Sequence, residues 1–234
     1  MKRRTFIKGA AAALPALAAV GVPDFGAAEE LQPIVLPKPE ADGGKSVLAA
    51  LKDRKTVRAI SPDPLPLQTL SNLLWAAFGV NRPEMGLMGK PGRTAPSASN
   101  SQEIDLYICV EKGVYVYEAD VHHLAPVAAG DFRARAGRRA AVKAPVNIFY
   151  VVDLKKYVVG SGQPDRSIGD PEVQKSYYYT GTGFIAQNVY LFAASQGLAA
   201  WFHNCDKENT AREFNLRPEQ RVLFAQTVGT QAKT

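Results

Sequence analysis

Residues 181–201 have the sequence GTGFIAQNVYLFAASQGLAAW, which joins a helical pattern to a strand-like one. Ile185, Val189 and Phe192 recur at helical spacing and place three apolar side chains on one face. The apolar run LAAWF follows without a break and is typical of a short strand. The stretch therefore predicts a long helix, from about 172 to 196, that leads directly into a strand.

The rest of the chain contains four further strand-like runs, IDLYICV, GVYVY, VNIFYVV and VLFAQTV. Only Glu111 and Lys112 separate the first two, which is the spacing of a tight hairpin. A short helix is predicted from Ser46 to about Arg54. The apolar face of a second predicted helix consists of Leu70, Leu73, Leu74, Ala77 and Phe78. Hairpin strands combined with long helices predict an α+β fold rather than a regular alternation of strands and helices.

The composition of the chain and its predicted segment boundaries limit the classes of protein to which it can belong. We predict a signal over residues 1–28, an extended linker rich in Pro, Glu and Gly over 29–44, and one domain over 45–234. The signal carries four basic residues and one acidic residue, so its removal lowers the formal charge from +6 to +3. That charge gives no indication of nucleic-acid binding. Two cysteines favour free buried thiols, with a single disulfide as the alternative, and no zinc-type spacing predicts a metal site.

The first residues have the three parts of an export signal. A basic start with Arg3 and Arg4 precedes an apolar run, and the small residues Gly26, Ala27 and Ala28 suit cleavage after Ala28. The run is too short and too rich in alanine for a spanning helix, so stable membrane insertion is not expected. The arginine pair resembles the twin-arginine signal, which directs already folded proteins to their export machinery. An ordinary secretory signal is the alternative.

Two polar segments are candidates for a binding site. The segment DRKTVR places Arg54, Lys55 and Arg58 within five residues at a helix end, where they repel one another unless they face solvent or share an anion. The segment RTAPSASNSQ lies in a loop before a strand. Its hydroxyl and amide groups, which suit the edge of a flat polar ring, belong to Ser97, Ser99, Asn100 and Gln102. A solvated basic face and an ordinary turn are the respective alternatives.

Taken in order, five segments resemble the nitroreductase family of FMN-dependent oxidoreductases: RKTVR, LSNLLWAAFGVNR, RTAPSASNSQ, GTGFIAQNVYLFAASQGLAAW and VLFAQTVG. The resemblance extends from about Ser46 to Gly229. Two segments, LLWAAFGVNR and GVYVYEADVHHL, are most similar to the branch of dehydrogenases that oxidise azoline rings in peptides to thiazoles and oxazoles. In that branch a Leu-Tyr-Pro sequence usually continues the loop, and here SASNSQEID replaces it. The implied fold is a central, mostly antiparallel sheet flanked by helices.

The resemblance implies a homodimer with FMN at the subunit interface, touched by both chains. The residues implied to hold its phosphate and pyrimidine edge are Arg54, Lys55, Thr56 and Arg58, with Lys233 as a further candidate. Those implied to lie along the isoalloxazine ring are Pro96, Ser97, Ala98, Ser99 and Asn100. The backbone implied to pass near the reactive N5 belongs to Ala199, Ala200 and Trp201. No catalytic side chain is assigned, because the flavin itself transfers hydride.

The resemblance and the signal together predict an exported, periplasmic FMN oxidoreductase acting on a small organic substrate. A noncovalent flavin is inserted in the cytoplasm, so the folded holoprotein needs an export route that accepts folded cargo. The donor is open among NAD(P)H, a quinol and the substrate itself. Two alternatives are a dehydrogenase that oxidises an organic or azoline-type substrate and a non-catalytic flavin-binding protein. Tyr177, Tyr178 and Tyr179 are candidates either for the substrate face or for the core.

Overall fold

The computed structural model describes residues 30–86, 89–137, 139–157 and 168–233. The helices are α1 (Val47–Asp53), α2 (Leu67–Phe78), α3 (Pro171–Gln196) and α4 (Lys207–Glu213). The strands are β1 (Ile34–Val35), β2 (Val80–Arg82), β3 (Gly92–Arg93), β4 (Ile104–Val110), β5 (Gly113–Glu118), β6 (His123–Ala129), β7 (Val146–Asp153), β8 (Leu198–His203) and β9 (Gln220–Thr230).

Seven strands form one sheet in the order β1-β6-β5-β4-β7-β9-β8, and every neighbouring pair is antiparallel. The remaining strands, β2 and β3, form a separate antiparallel pair. Helices α2 and α3 pack on one face of the large sheet. The prediction of an α+β fold with a mostly antiparallel sheet is confirmed.

The four predicted strand runs correspond to β4, β5, β7 and β9. The predicted hairpin is present, because Val110 pairs with Gly113 across a two-residue turn. Strand β6 was not predicted, since its sequence HLAPVAA has no clear alternation and Pro126 interrupts it. The segment forms a strand because it pairs with β5, although its own sequence pattern does not indicate one.

Helix α3 begins and ends as its sequence indicates. The side chain of Asp170 caps the first turn, and Pro171 occupies the first helical position. Ile185 and Val189 are fully buried against the sheet. Gly197 ends the helix with φ of 70°, a conformation that favours glycine, and the chain enters β8 at the next residue.

The segment predicted as a linker is mostly extended and lies against the domain. Ile34 pairs with Leu124 of β6, so the segment adds the edge strand β1 to the sheet. Leu36 is buried, and the hydroxyl of Ser71 on α2 donates to the carbonyl of Pro37 at 2.5 Å. Residues 1–28, for which a signal is predicted, lie outside the described residues.

Both cysteines are free thiols. Cys109 is buried in β4, and Cys205 is partly buried after β8. Burial raises the pKa of each thiol to about 12, so neither has the thiolate character of a reactive cysteine. Within the described part of the chain, no helix is both long and apolar enough to cross a membrane.

Two glycines on α3 give a test of the packing between this helix and the sheet. A Cβ at Gly181 would lie 2.9 Å from Oε1 of Glu103, a fully buried side chain. We expect Gly181→Ala to destabilise the protein by about 1–3 kcal/mol through overpacking. The measurement is the free energy of unfolding in urea.

Gly183→Ala is the matched control, because a Cβ there meets nothing within 4 Å. An alanine at an open helical site should stabilise by about 0.5–1 kcal/mol. Equal effects of the two substitutions would contradict the close contact between α3 and Glu103.

Candidate functional site

The segment 54–58 lies along β8, the strand at one edge of the sheet. The backbone N–H of Val57 donates to the carbonyl of Ala200 at 3.0 Å. Two groups of predicted site residues that are far apart in sequence, Arg54–Arg58 and Ala199–Trp201, are therefore direct neighbours. The contact forms because β8 is an edge strand whose outer side is open to further hydrogen bonds.

Aromatic rings hold the two arginines of this segment. The guanidinium carbon of Arg54 is 5.5 Å from the ring centroid of Tyr190, and that of Arg58 is 5.6 Å from the ring of Trp201. These distances are typical of cation–π interactions, in which the ring attracts the cation without neutralising its charge. The guanidinium groups therefore remain able to pair with an anion.

Tyr190 on α3 also fixes the segment by hydrogen bonds. Its hydroxyl accepts from the backbone N–H of Phe202 at 2.8 Å and lies 3.2 Å from Oγ1 of Thr56. Because the hydroxyl oxygen already accepts from the amide, it can donate its own hydrogen to Thr56. Sequence reasoning missed this residue, since an aromatic side chain within a helix is usually part of the core.

A cavity of about 410 Å³ adjoins the segment and has a basic lining that includes Lys45, Lys52 and Lys55. Lys45 pairs with Asp53 at 2.5 Å, which holds the pKa of that carboxyl below its usual range. Among the described residues, Arg54, Lys55 and Arg58 form no ion pair with a carboxylate. The site therefore carries excess positive charge and suits a phosphate or another anion.

The C-terminal residues run beside the segment 54–58 and include a further cation. The backbone N–H of Ala232 donates to the carbonyl of Ala59 at 3.0 Å, as the tail runs antiparallel to the segment. Lys233 follows directly and is exposed, and continuing the antiparallel register of Ile60 with Gln231 by two residues sets it opposite Arg58. The predicted residue Lys233 thus lies with the arginine group.

The loop over Pro96–Asn100 is not part of the lining of that basic cavity. Pro96, Ser97 and Asn100 line another cavity, of about 440 Å³, together with Arg82 and Arg93. Ser99 and Asn100 have φ values of 50° and 55°, in the left-handed region. Such backbone conformations in residues other than glycine are strained, and they concentrate at functional sites.

Gln102 supports this strained loop. It also has a left-handed backbone, with φ of 53°. Its N–H donates to the hydroxyl of Ser97 at 3.0 Å, and its side-chain amide donates to Oδ1 of Asn100 at 3.0 Å. The loop therefore has a defined shape that its own polar side chains maintain.

The loop and the arginine group contact different sides of α3. The side chain of Asn188 donates to the carbonyl of Thr94, two residues before the loop, at 3.3 Å. Tyr190 contacts the arginine group. Residues two positions apart in a helix point about 200° away from each other. Within one chain the predicted site residues therefore form two groups, one at β8 and one at the loop.

The three adjacent tyrosines divide between core and surface. Tyr178 is buried, whereas Tyr177 and Tyr179 are each 39% exposed. The ring of Tyr179 packs 5.9 Å from that of Phe224 on β9. In the described ranges, no group of three His, Cys, Asp or Glu side chains is placed to hold a metal ion.

This fold and this basic site define an α+β protein with a cationic group at the edge of its sheet, which suits an anion. The model of the nitroreductase family matches residues 51–230. The chain belongs to the nitroreductase family, a family of oxidoreductases, and the family resemblance found in the sequence is confirmed.

Similar proteins agree with this assignment. A nitroreductase-type protein of Methanocaldococcus jannaschii is 29% identical over 184 residues, which cover 75% of this chain and 86% of that protein. The crystal structure of a nitroreductase-type protein of Ralstonia eutropha has a TM-score of 0.76 and 31% identity over 89% of this chain and 93% of that one.

A more distant structure shares the fold alone. The microcin synthetase complex McbBCD of E. coli, with a truncated microcin precursor bound, contains a chain with a TM-score of 0.62 and 18% identity. The match covers 93% of this chain and 84% of that one. The similarity to the azoline-oxidising branch stays a prediction.

Tyr190→Phe tests how the arginine segment is held. Removal of the hydroxyl leaves the amide of Phe202 and the side chain of Thr56 without this partner, and a lost hydrogen bond costs about 1 kcal/mol. We expect lower stability in urea and faster hydrogen exchange of the Phe202 amide. Tyr177→Phe, on the exposed side of α3, should change stability by less than about 0.5 kcal/mol. Unchanged exchange at Phe202 would contradict the role of Tyr190.

Proposed function

We propose that the protein is an exported FMN-dependent oxidoreductase that transfers hydride between a donor and a small organic acceptor. The observation that carries the proposal is a group of cations at the edge of β8, Arg54, Lys55 and Arg58, that have no carboxylate partner among the described residues. A phosphate ester is the kind of ligand that such a group recognises. The adjacent strand backbone supplies a flat surface for a ring attached to that phosphate.

The donor set fits FMN. Arg54, Arg58 and Lys233 would hold the phosphate and place positive charge near the pyrimidine edge, where it stabilises the reduced, anionic ring. The backbone of β8 from Ala199 to Trp201 would lie beside the ring. Bound FMN supplies hydride transfer at N5, and the chain contributes binding, orientation and electrostatics.

A second copy of the chain would complete the site. The arginine group and the loop over Pro96–Asn100 contact different sides of α3, so both cannot easily reach one ring within the same protomer. A homodimer solves this difficulty if the loop of one protomer lies against the flavin bound at β8 of its partner. Phe184 on α3 is 45% exposed and offers apolar surface for such an association.

The donor and the acceptor are open among NAD(P)H, a quinol and an organic substrate. Rapid-mixing measurements of flavin reduction by each donor under anaerobic conditions would separate these cases. Reduction by NAD(P)H favours a nitroreductase-like reaction. Reduction by an organic substrate alone favours a dehydrogenase, and a flavin that no donor reduces favours a binding protein.

Arg54→Ala tests the cofactor site. We expect the wild-type protein to bind FMN noncovalently and to show flavin absorption bands. A charge-assisted contact contributes about 1.5–3 kcal/mol, so the substitution should weaken FMN binding by roughly ten- to a hundredfold. Titration of FMN into the apoprotein, followed by flavin fluorescence, measures this change.

Arg212→Ala is the control, because Arg212 is exposed on α4 and bonds to Asn209 on the same helix. It should leave FMN affinity unchanged. A wild-type protein that binds no FMN would refute the proposed cofactor. Equal affinities of the two variants would refute the assignment of the phosphate site.

Export is the second part of the proposal, and it is supported by Arg3 and Arg4 in the sequence. We expect replacement of both by lysine to block transport while flavin content stays unchanged, because the pair acts as an address and not as part of the fold. Fractionation of cells that produce each form measures transport. Equal periplasmic amounts of mutant and wild type would show that the arginine pair is not required.

A further inference from the structure

A cavity of about 260 Å³ lies between the end of α2, strands β4 and β5, and the residues around the strained loop. We call it the Lys90 cavity. It shares no lining residue with the cavity beside segment 54–58, and it shares Arg93 with the cavity of the loop. Its charged lining residues are Lys90, Arg93, Asp105, Asp120 and Lys156.

One cation in the lining of the Lys90 cavity has no carboxylate partner among the described residues. Lys156 pairs with Asp105 at 2.5 Å, and Arg93 pairs with Asp120 at 3.0 Å. The ammonium group of Lys90 donates to a backbone carbonyl, and no carboxylate among the described residues forms an ion pair with it. The lining therefore has one net positive charge, which matches a monoanion.

Arg93 provides an independent indication of a ligand. Its Nε donates to the side-chain carbonyl of Gln102 at 2.8 Å, and its guanidinium lies 5.5 Å from the ring centroid of Phe78. Its Nη1 is buried and has no hydrogen-bond partner. A buried unpaired donor of a charged group is uncommon in folded proteins and needs an explanation, of which a bound water or anion is one.

Electrostatics in the cavity also favour an added anion. Burial lowers the pKa of Lys90, and the positive charges of Lys156 and Arg93 lower it further, whereas the carboxylates of Glu103 and Asp105 raise it. The charged form of Lys90 is therefore disfavoured by burial and by repulsion from these two cations. A negative group between them would relieve this repulsion.

The rest of the lining is apolar, with Phe78, Ile104 and Leu106 among its members. We propose that the Lys90 cavity binds a small monocarboxylate, with its carboxylate at Lys90 and Arg93 and its apolar body against these side chains. The site is separate from the proposed phosphate site at β8 and adjoins the loop through Arg93. Because Arg93 bonds to Gln102 and Gln102 bonds to Asn100, the carboxylate stabilises the strained loop.

The test is calorimetric titration of the purified full-length protein with sodium butyrate, with butyramide as the uncharged counterpart and sodium chloride to match ionic strength. Flavin content is recorded from the absorption spectrum, and binding of butyrate does not require flavin. We expect saturable binding of butyrate and none of butyramide. Lys90→Met should weaken binding by at least about tenfold, as loss of a charge-assisted contact predicts, and Lys90→Arg should retain it.

Lys156→Met is a second variant, since it removes a cation and leaves Asp105 unpaired, and it should also weaken binding. Lys155→Met is the control, because Lys155 is exposed and lies 3.4 Å from Glu219, outside the cavity. Thermal unfolding verifies that each variant is folded. Absence of saturable binding, equal binding by wild type, Lys90→Met and Lys156→Met, or loss of binding in Arg54→Ala instead would overturn the proposal.

Discussion

The direct passage from α3 into β8 is the constraint on which the rest of the molecule depends. The helix must bury Ile185 and Val189 against the sheet, and Gly197 turns the chain within one residue. Strand β8 therefore has little freedom in where it joins the sheet. It forms the edge, and its open side is where the segment 54–58 can bond. The position of the proposed phosphate site is thus a consequence of helix packing.

Arg133 and Arg135 have surroundings different from those of Arg54. Arg133 pairs with Asp131 at 2.8 Å, and Arg135 pairs with Glu213 at 2.7 Å. Hydrogen bonds from these arginines hold the pKa of both carboxyls below the usual range. These two cations are neutralised and support the fold. Arg54, by contrast, is held by an aromatic ring, which fixes its position and leaves its charge available.

The strained loop and the Lys90 cavity share one network of hydrogen bonds. Left-handed backbone at Ser99, Asn100 and Gln102 has an energetic cost, which the surrounding structure must offset. Gln102 does so from the loop side and joins Arg93 on the cavity side. If the loop of one protomer touches the flavin of the other, as proposed, occupancy of the cavity and the flavin site are coupled through these bonds. Such coupling would give the buried guanidinium of Arg93 a role beyond packing.

The sequence alone determined the elements whose signal is local. Regular apolar spacing predicted α2 and α3, continuous apolar runs predicted β4, β5, β7 and β9, and the order of five segments identified the family. It did not predict β6, because that strand depends on pairing with β5 and not on its own pattern. It also missed Tyr190 and the Lys90 cavity. Those features join residues distant in the chain, and only burial and the long-range contacts of the folded chain decide which side chains remain unpaired.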